Sequence, residues 1–419
     1  MEKLKMSKEE ISWSLYDWAS SAFTMMLSTV IPIYIKNVGD SIHLSAAQTT
    51  SQWAITQSLS TLAVALLAPV LGAMADHKGK KKRMFAAFLT LALIMSAVMA
   101  FSNTYYVLLI TCTIACVGYA GTNIFYDSFL IDVTSDSRMD FVSSFGYAVG
   151  YIGSCIPFII SILIINFSDA LGITAAFAIK LALIINVLWW FVFSLPLLKN
   201  VHQKYGIEKE TNENIIMSSF AKIFKTLRSI CKNKPVGMFL LAYFFYIDGV
   251  DTIIKMSTSF GKDVGISDNS LLLALLATQI IAFPAVLICS KLVKRFSCKK
   301  IISFSILMYI GICVFGFFLN YAWQFWVLAI AVAIVQGTIQ ALSRSYFGKL
   351  IPSKENSNEY FGFYNIFGKY ASIFGTALMA LFTTITGNSR YGVLSVAILF
   401  IAGYFIFRKV PEAITAEVS

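Results

Sequence analysis

The stretch "LGAMADHKGKKKR" runs from Leu71 to Arg83 and joins two long apolar segments. Within it Lys78, Lys80, Lys81, Lys82 and Arg83 stand nearly side by side. The residues before it, 49–75, and after it, 84–102, each read as one helix near the ~20 apolar residues that cross a bilayer. A basic loop between two such helices marks a segment held on the cytoplasmic side. The pattern continues along the whole chain. Of 419 residues, 58% are hydrophobic and only 13% charged, against roughly 45–50% and about 25% in soluble domains. Such a chain cannot cover a water-facing surface, so it reads as an all-α polytopic membrane protein. The net charge of +11 sits in short loops between apolar spans. That placement is topogenic and argues against a nucleic-acid partner.

Twelve transmembrane helices are predicted, at 11–36, 49–75, 84–102, 105–130, 141–166, 173–197, 235–260, 270–292, 300–319, 322–347, 358–386 and 390–408. The basic loops follow spans 2, 6 and 8. The opposite loops hold little beyond Lys36, Lys262 and Arg390. Both termini are therefore expected in the cytoplasm and the chain in the cell membrane. The loop over 198–234 divides two six-helix bundles, 1–197 and 235–419. Its stretch "IIMSSFAKIFKTLRSICK" gathers Ile216, Phe220, Ile223, Phe224 and Leu227 on one face, a pattern fitting either an amphipathic surface helix or a solvated linker. The first span lacks the form of a cleavable signal. The seven cysteines lie mostly in spans or on the cytoplasmic side, where they read as packing residues.

The halves echo each other. Aligning Gly72 with Ser290 pairs Gly79 with Ser297 and Lys81–Lys82 with Lys299–Lys300, an offset of 218. "FGYAVGYIG" from Phe145 and "FGFYNIFGK" from Phe361 match at an offset of 216. A duplicated six-helix unit of this kind places a transport site at mid-membrane between the halves.

The run Gly72-x-x-x-Asp76-x-x-Gly79-Lys80-Lys81 resembles the G-x-x-x-D-x-x-G-R-K signature of the major facilitator superfamily, with Lys80 in place of the usual Arg. The resemblance implies two six-helix bundles related by a pseudo-two-fold axis, alternating access, and a monomer. It also implies that Gly72, Asp76, Gly79 and Lys80 latch the cytoplasmic ends of the bundles. Lys294 stands where a second Asp would fall, so no second latch is assigned. "YDWASSAF" in span 1, "YDSFLIDV" in span 4, "SSFGYAVGYIG" in span 5, "SRSYFGKLIP" in span 10 and "EYFGFYNIFGKYASIFG" in span 11 are similar to the vacuole effluxer family. That similarity implies solute export and an association with amino-acid release, without fixing the substrate.

Charges inside the spans give the candidate site, because an ionisable side chain there faces a cavity or a partner. Span 1 carries Ser14, Asp17, Ser21, Thr24 and Ser28 on one helical face. In the superfamily spans 1, 4, 7 and 10 line the central cavity, so Asp17 is expected to look into it. Helix packing is the alternative for Asp17. Span 4 adds Asn123 and Asp127; span 10 adds Gln336, Gln340 and Arg344. Asp127 shifted by 217 gives Arg344. These opposite charges are expected to form a gate that closes as an ion pair; a static pair and separate substrate contacts are the alternatives. Asp251 and Lys255 in span 7 are four apart and can neutralise each other, which leaves Asp248 to bind a substrate ammonium, a cation or a proton. Asn365 and Lys369 share a face of span 11, where Lys369 can meet a substrate carboxylate or one of the aspartates.

Asp17, Asp127 and Asp248 are candidates for proton coupling, and carboxylates equally bind sodium. No other cofactor and no metal centre is expected. The leading function is a secondary transporter of a small polar solute, an amino acid or related metabolite, probed against a sugar–cation symporter and an exporter of amphipathic compounds or lipids. A non-transporting receptor is a further class. No nucleophile–base set, metal cluster or phosphate loop points to an enzyme.

Overall fold

The computed structural model describes residues 5–208, 228–230 and 232–412. The amphipathic stretch expected within the linker lies outside the described residues. The helices are α1 (Lys8–Ser28), α2 (Val30–Ser41), α3 (Ala46–Ala75), α4 (Lys81–Phe101), α5 (Tyr105–Val133), α6 (Met139–Asn166) and α7 (Ala175–Asn200), then α8 (Lys234–Asp263), α9 (Asp268–Phe296), α10 (Cys298–Phe317), α11 (Ala322–Leu350), α12 (Ser357–Thr386) and α13 (Ser389–Arg408). A 3₁₀ turn at Lys354–Asn356 precedes α12. Among the described residues, eleven stretches are long and apolar enough to span a bilayer, and Phe374–Thr386 of α12 is a shorter apolar one. This is the twelve-span architecture expected from the sequence.

The first span is broken. α1 and α2 meet at Thr29, whose φ of −127° and ψ of −71° are not helical. Pro32 explains the break: its ring crowds the carbonyl four residues back, at Ser28. Some other helix starts carry side-chain caps. Ser7 and Glu10 form a reciprocal capping box on α1, and Ser45 with Gln48 does the same on α3.

Within the first bundle, α1 lies against α6 through a row of small residues. A Cβ at Gly146 would fall 2.6 Å from Asp17 Oδ2, and one at Gly153 would fall 2.5 Å from the Trp18 carbonyl oxygen. The "FGYAVGYIG" motif therefore lets two helix backbones approach closely. Between the bundles, α3 packs on α12 and α6 on α9. Gly72 belongs to that seam: a Cβ there would sit 2.5 Å from the Asn358 carbonyl oxygen.

Candidate functional site

Arg344 is the centre of the interbundle contact. It is a guanidinium on α11, only 2% exposed, and nearly all its partners come from the other bundle. Its Nη1 donates to Asp127 Oδ1 at 3.2 Å and its Nη2 to Asp17 Oδ2 at 3.3 Å. Nε donates to Ser143 Oγ at 3.0 Å, and Nη2 also to the Ser143 carbonyl at 3.1 Å. Ser143 in turn donates to the Ala341 carbonyl at 2.7 Å. Three rings enclose the planar cation: Trp13 at 4.7 Å, Tyr126 at 5.4 Å and Tyr147 at 4.4 Å from its central carbon. The rings exclude water, which strengthens each polar contact, and their faces attract the cation. Asn365 of α12 completes the cluster by donating to Asp127 Oδ2 at 3.1 Å.

The expected partners Asp127 and Arg344 are thus in contact, and Asp17 shares the same cation. Ser21 lies next, its Oγ 2.7 Å from where a Cβ at Gly150 would be. Thr24 is exposed and donates to the Tyr119 hydroxyl at 2.9 Å. Asn123 is half-buried on α5 one turn before Asp127. Gln336 is buried and Gln340 half-buried on the face of α11 that leads to Arg344. Trp18 stacks on Trp189, the ring centroids 5.7 Å apart.

The span-7 group sits apart. Asp251 is half-buried and Lys255 exposed; no direct ion pair joins them among the described residues, but Lys255 acts on Asp251 through space. Asp248 is fully buried between α8 and α12. The side chain of Lys369 lies outside the described residues.

At the end that carries the basic loops, Asp76 caps the start of α12. It accepts from Asn358 N and Nδ2, both at 2.9 Å, and from Glu359 N at 3.3 Å. The first amides of a helix have no intrahelical acceptor and carry the positive end of its dipole, so a carboxylate fits there. Gly79 has φ of +76°, a left-handed turn that glycine adopts without strain. Lys80, expected to act with the latch, is half-buried before α4 and takes no ion pair among the described residues. Its neighbour Lys81 is fully buried and pairs with Asp132 of α5 at 2.6 Å. Helix phase explains the difference. Lys81 heads the buried stripe Phe85, Leu89, Ala92 and Ser96 of α4, and Lys80 precedes the helix.

Sequence reasoning missed several groups here. Lys349 pairs with Asp140 at 2.6 Å and Lys354 with Asp136 at 3.0 Å, both between the bundles. The start of the linker also docks on the latch. Gln203 Oε1 accepts from Gly79 N at 3.0 Å and its Nε2 donates to the Ala75 carbonyl at 3.1 Å. Ile207 N donates to the Asp76 carbonyl at 2.9 Å. The amides of Lys204 and Tyr205 donate to Asp132 at 2.8 and 3.1 Å.

Comparison with known proteins fits this geometry. The family described as "Vacuole effluxer Atg22 like" matches residues 41–413. The chain belongs to that family. It is 44% identical over 420 residues to the uncharacterized MFS-type transporter YxiO of Bacillus subtilis, covering 99% of this chain and 97% of that one. It is 27% identical over 286 residues to autophagy-related protein 22-2 of Aspergillus clavatus, a match covering 62% of this chain and 45% of that protein. Among solved structures, the fucose:proton symporter FucP of E. coli superposes with a TM-score of 0.73 at 15% identity, covering 97% of this chain and 98% of that one. A bacterial homologue of the iron transporter ferroportin, in its outward-facing state, gives 0.72 at 14% identity, covering 96% and 99%. The fold of this Atg22-like protein is therefore that of the major facilitator superfamily. The chain is a multi-pass secondary transporter rather than an enzyme.

Proposed function

We propose that this transporter exports a small zwitterion, an amino acid or close relative, across the cell membrane, with both termini and the basic loops on the cytoplasmic side. The observation that carries the reading is the shared Arg344. One buried guanidinium joins the bundles by bonding Asp17 and Asp127, and separating the bundles strips it of both. Breaking a buried ion pair without replacement costs about 3–5 kcal/mol. A zwitterion offers the replacement in one molecule: its carboxylate takes the place of the aspartates on Arg344, and its ammonium that of Arg344 on Asp17 or Asp127. The empty carrier then stays closed at the cytoplasmic end, and a matching solute lowers the cost of opening it. Asp76, Lys349 and Lys354 latch the same closed end, with Gly72 and Gly79 shaping the seam.

The family description supports efflux, and the association with amino-acid release that the sequence resemblance implies supports a metabolite cargo. An amphipathic cargo is the second reading. It is favoured by a cavity of about 110 Å³ inside the second bundle, lined mainly by apolar side chains such as Ile253, Met256, Phe260, Leu275 and Val332. The test is thermal unfolding of the purified protein with amino acids, sugars and amphipaths, followed by flux in liposomes for any solute that raises the midpoint. A rise with a zwitterion, lost in Arg344→Lys, is expected. A rise with amphipaths alone overturns the zwitterion assignment, and binding without flux would mark a receptor.

A further inference from the structure

Asp248 lies away from the Arg344 cluster, in a seat made for one carboxyl group. It is 0% exposed. Its Oδ1 accepts from Gly375 N of α12 at 2.8 Å and from Thr252 Oγ1 at 3.4 Å. Its Oδ2 is buried and has no hydrogen-bond partner. The seat requires glycine opposite: a Cβ at residue 375 would lie 2.5 Å from Oδ1 and 2.3 Å from Thr252 Oγ1. The neighbouring charges, Asp251 and Lys255, are on its own helix. From α12, among the described residues, it meets the Gly375 amide; on α13, Phe400 packs on the adjoining Gly249 and stacks on Tyr309 of α10. Among the described residues no Lys, Arg or His forms an ion pair with Asp248.

A lone ionised carboxylate enclosed in this way is costly. Three species can neutralise it, and the geometry separates them. A metal cation needs a shell of oxygen ligands, and no second acidic group meets Oδ2; no cluster of metal-binding residues occurs among the described residues. A substrate ammonium needs an accessible oxygen, and Oδ2 is sealed. A proton needs only the free lone pair. Thr252 supplies a path, because it bonds Oδ1 and also lines the 110 Å³ cavity beside Thr278, Gln279 and Gln336. That space exceeds the roughly 10–15 Å³ of probe volume that one water needs. The Gln336 Nε2 is buried without a partner and is free to hold such a water.

We propose that Asp248 is a proton-binding site built into the second bundle, separate from the Arg344 cluster and reached from the bundle's cavity through Thr252. Its part in transport rests on the carrier reading above: parting α8 from α12 removes the Gly375 donor, so occupancy of the site is linked to how these helices pack.

The test is infrared spectroscopy of the full-length protein in lipid, with aspartate ¹³C-labelled, titrated with acid and alkali in sodium chloride and again in choline chloride. A carboxylic-acid C=O band that titrates identically in both salts and is missing from Asp248→Asn is expected. If Asp248→Asn does not fold, Thr252→Val decides: it should keep the band and slow its hydrogen–deuterium shift. The proposal is overturned by absence of any such band over the titration, by loss of the band on adding sodium at fixed pH, or by an unchanged deuterium shift in Thr252→Val. A band without amino-acid flux would refute the zwitterion carrier and leave this site standing.

Discussion

Asp76→Ala isolates the latch. The carboxylate accepts three hydrogen bonds from the first turn of α12, two of them at 2.9 Å. Hydrogen bonds to a charged group contribute about 1.5–3 kcal/mol each and do not add fully. The helix dipole contributes about 0.3–2 kcal/mol more. Taking about 3 kcal/mol for the set, and a factor of ten for each ~1.4 kcal/mol, the ratio of closed to open latch falls about 100-fold. The Asn358 and Glu359 amides report this directly, since amides at a helix start lack any intrahelical acceptor. Hydrogen–deuterium exchange with mass spectrometry on the peptide spanning 354–366 should show those amides slowed in the wild type and exchanging tens of times faster in Asp76→Ala. Asp76→Asn, which keeps one acceptor oxygen, should fall between. Equal exchange in all three proteins would refute the latch, whatever happened to transport.

Lys81→Met leaves Asp132 buried beside its remaining linker amides. It should destabilise the protein by about 3–5 kcal/mol, read as a lowered unfolding midpoint, whereas Lys80→Met should leave the midpoint nearly unchanged. Gln203→Ala frees Gly79 N and the Ala75 carbonyl, so limited proteolysis should cut the linker near residue 205 several times faster at unchanged global stability. Gly146→Leu pushes α6 off Asp17. It should abolish transport while the protein still inserts, and a fully active variant would contradict the close α1–α6 packing.

The span pattern was legible because hydropathy at this length has one structural outcome, and loop charge located the basic end. The break at Thr29 was legible in principle from Pro32. The Asp127–Arg344 contact followed from the repeat offset. The share of Asp17 in it did not, because the repeat offset takes Asp17 to residue 234 on α8 and not to α11. The aromatic enclosure was also hidden. Trp13, Tyr126 and Tyr147 lie on three segments that only tertiary packing brings around one cation, and each reads singly as an ordinary membrane aromatic. The choice of Lys81 over Lys80 could have been read from the stripe Lys81, Phe85, Leu89, Ala92. The partner of Lys81, Asp132, belongs to the same bundle, so this buried pair ties α4 to α5 rather than one bundle to the other.

The repeat also explains why the bundles attract where they meet. Asp127 and Arg344 are 217 residues apart and in contact, and Asp136 and Lys354 are 218 apart and in contact. Two equivalent positions of a pseudo-symmetric pair can touch only beside the symmetry axis, so both contacts lie along it. An acid facing its own copy at such positions in a dry seam would repel. Opposite charge at equivalent positions turns that repulsion into closure. Arg344→Asp should therefore do more than remove a cation, for it adds a third carboxylate to those of Asp17 and Asp127 and drives the bundles apart. Exchanging the charges of residues 127 and 344 alone should not restore closure, because the new acid would still face Asp17. Adding Asp17→Asn to the exchange should restore it. Spin-label distances across the basic-loop ends would show wide separations for the single and the exchanged variants and a narrow one for the triple variant. A narrow distance in Arg344→Asp would show that attraction at the axis does not hold the seam closed.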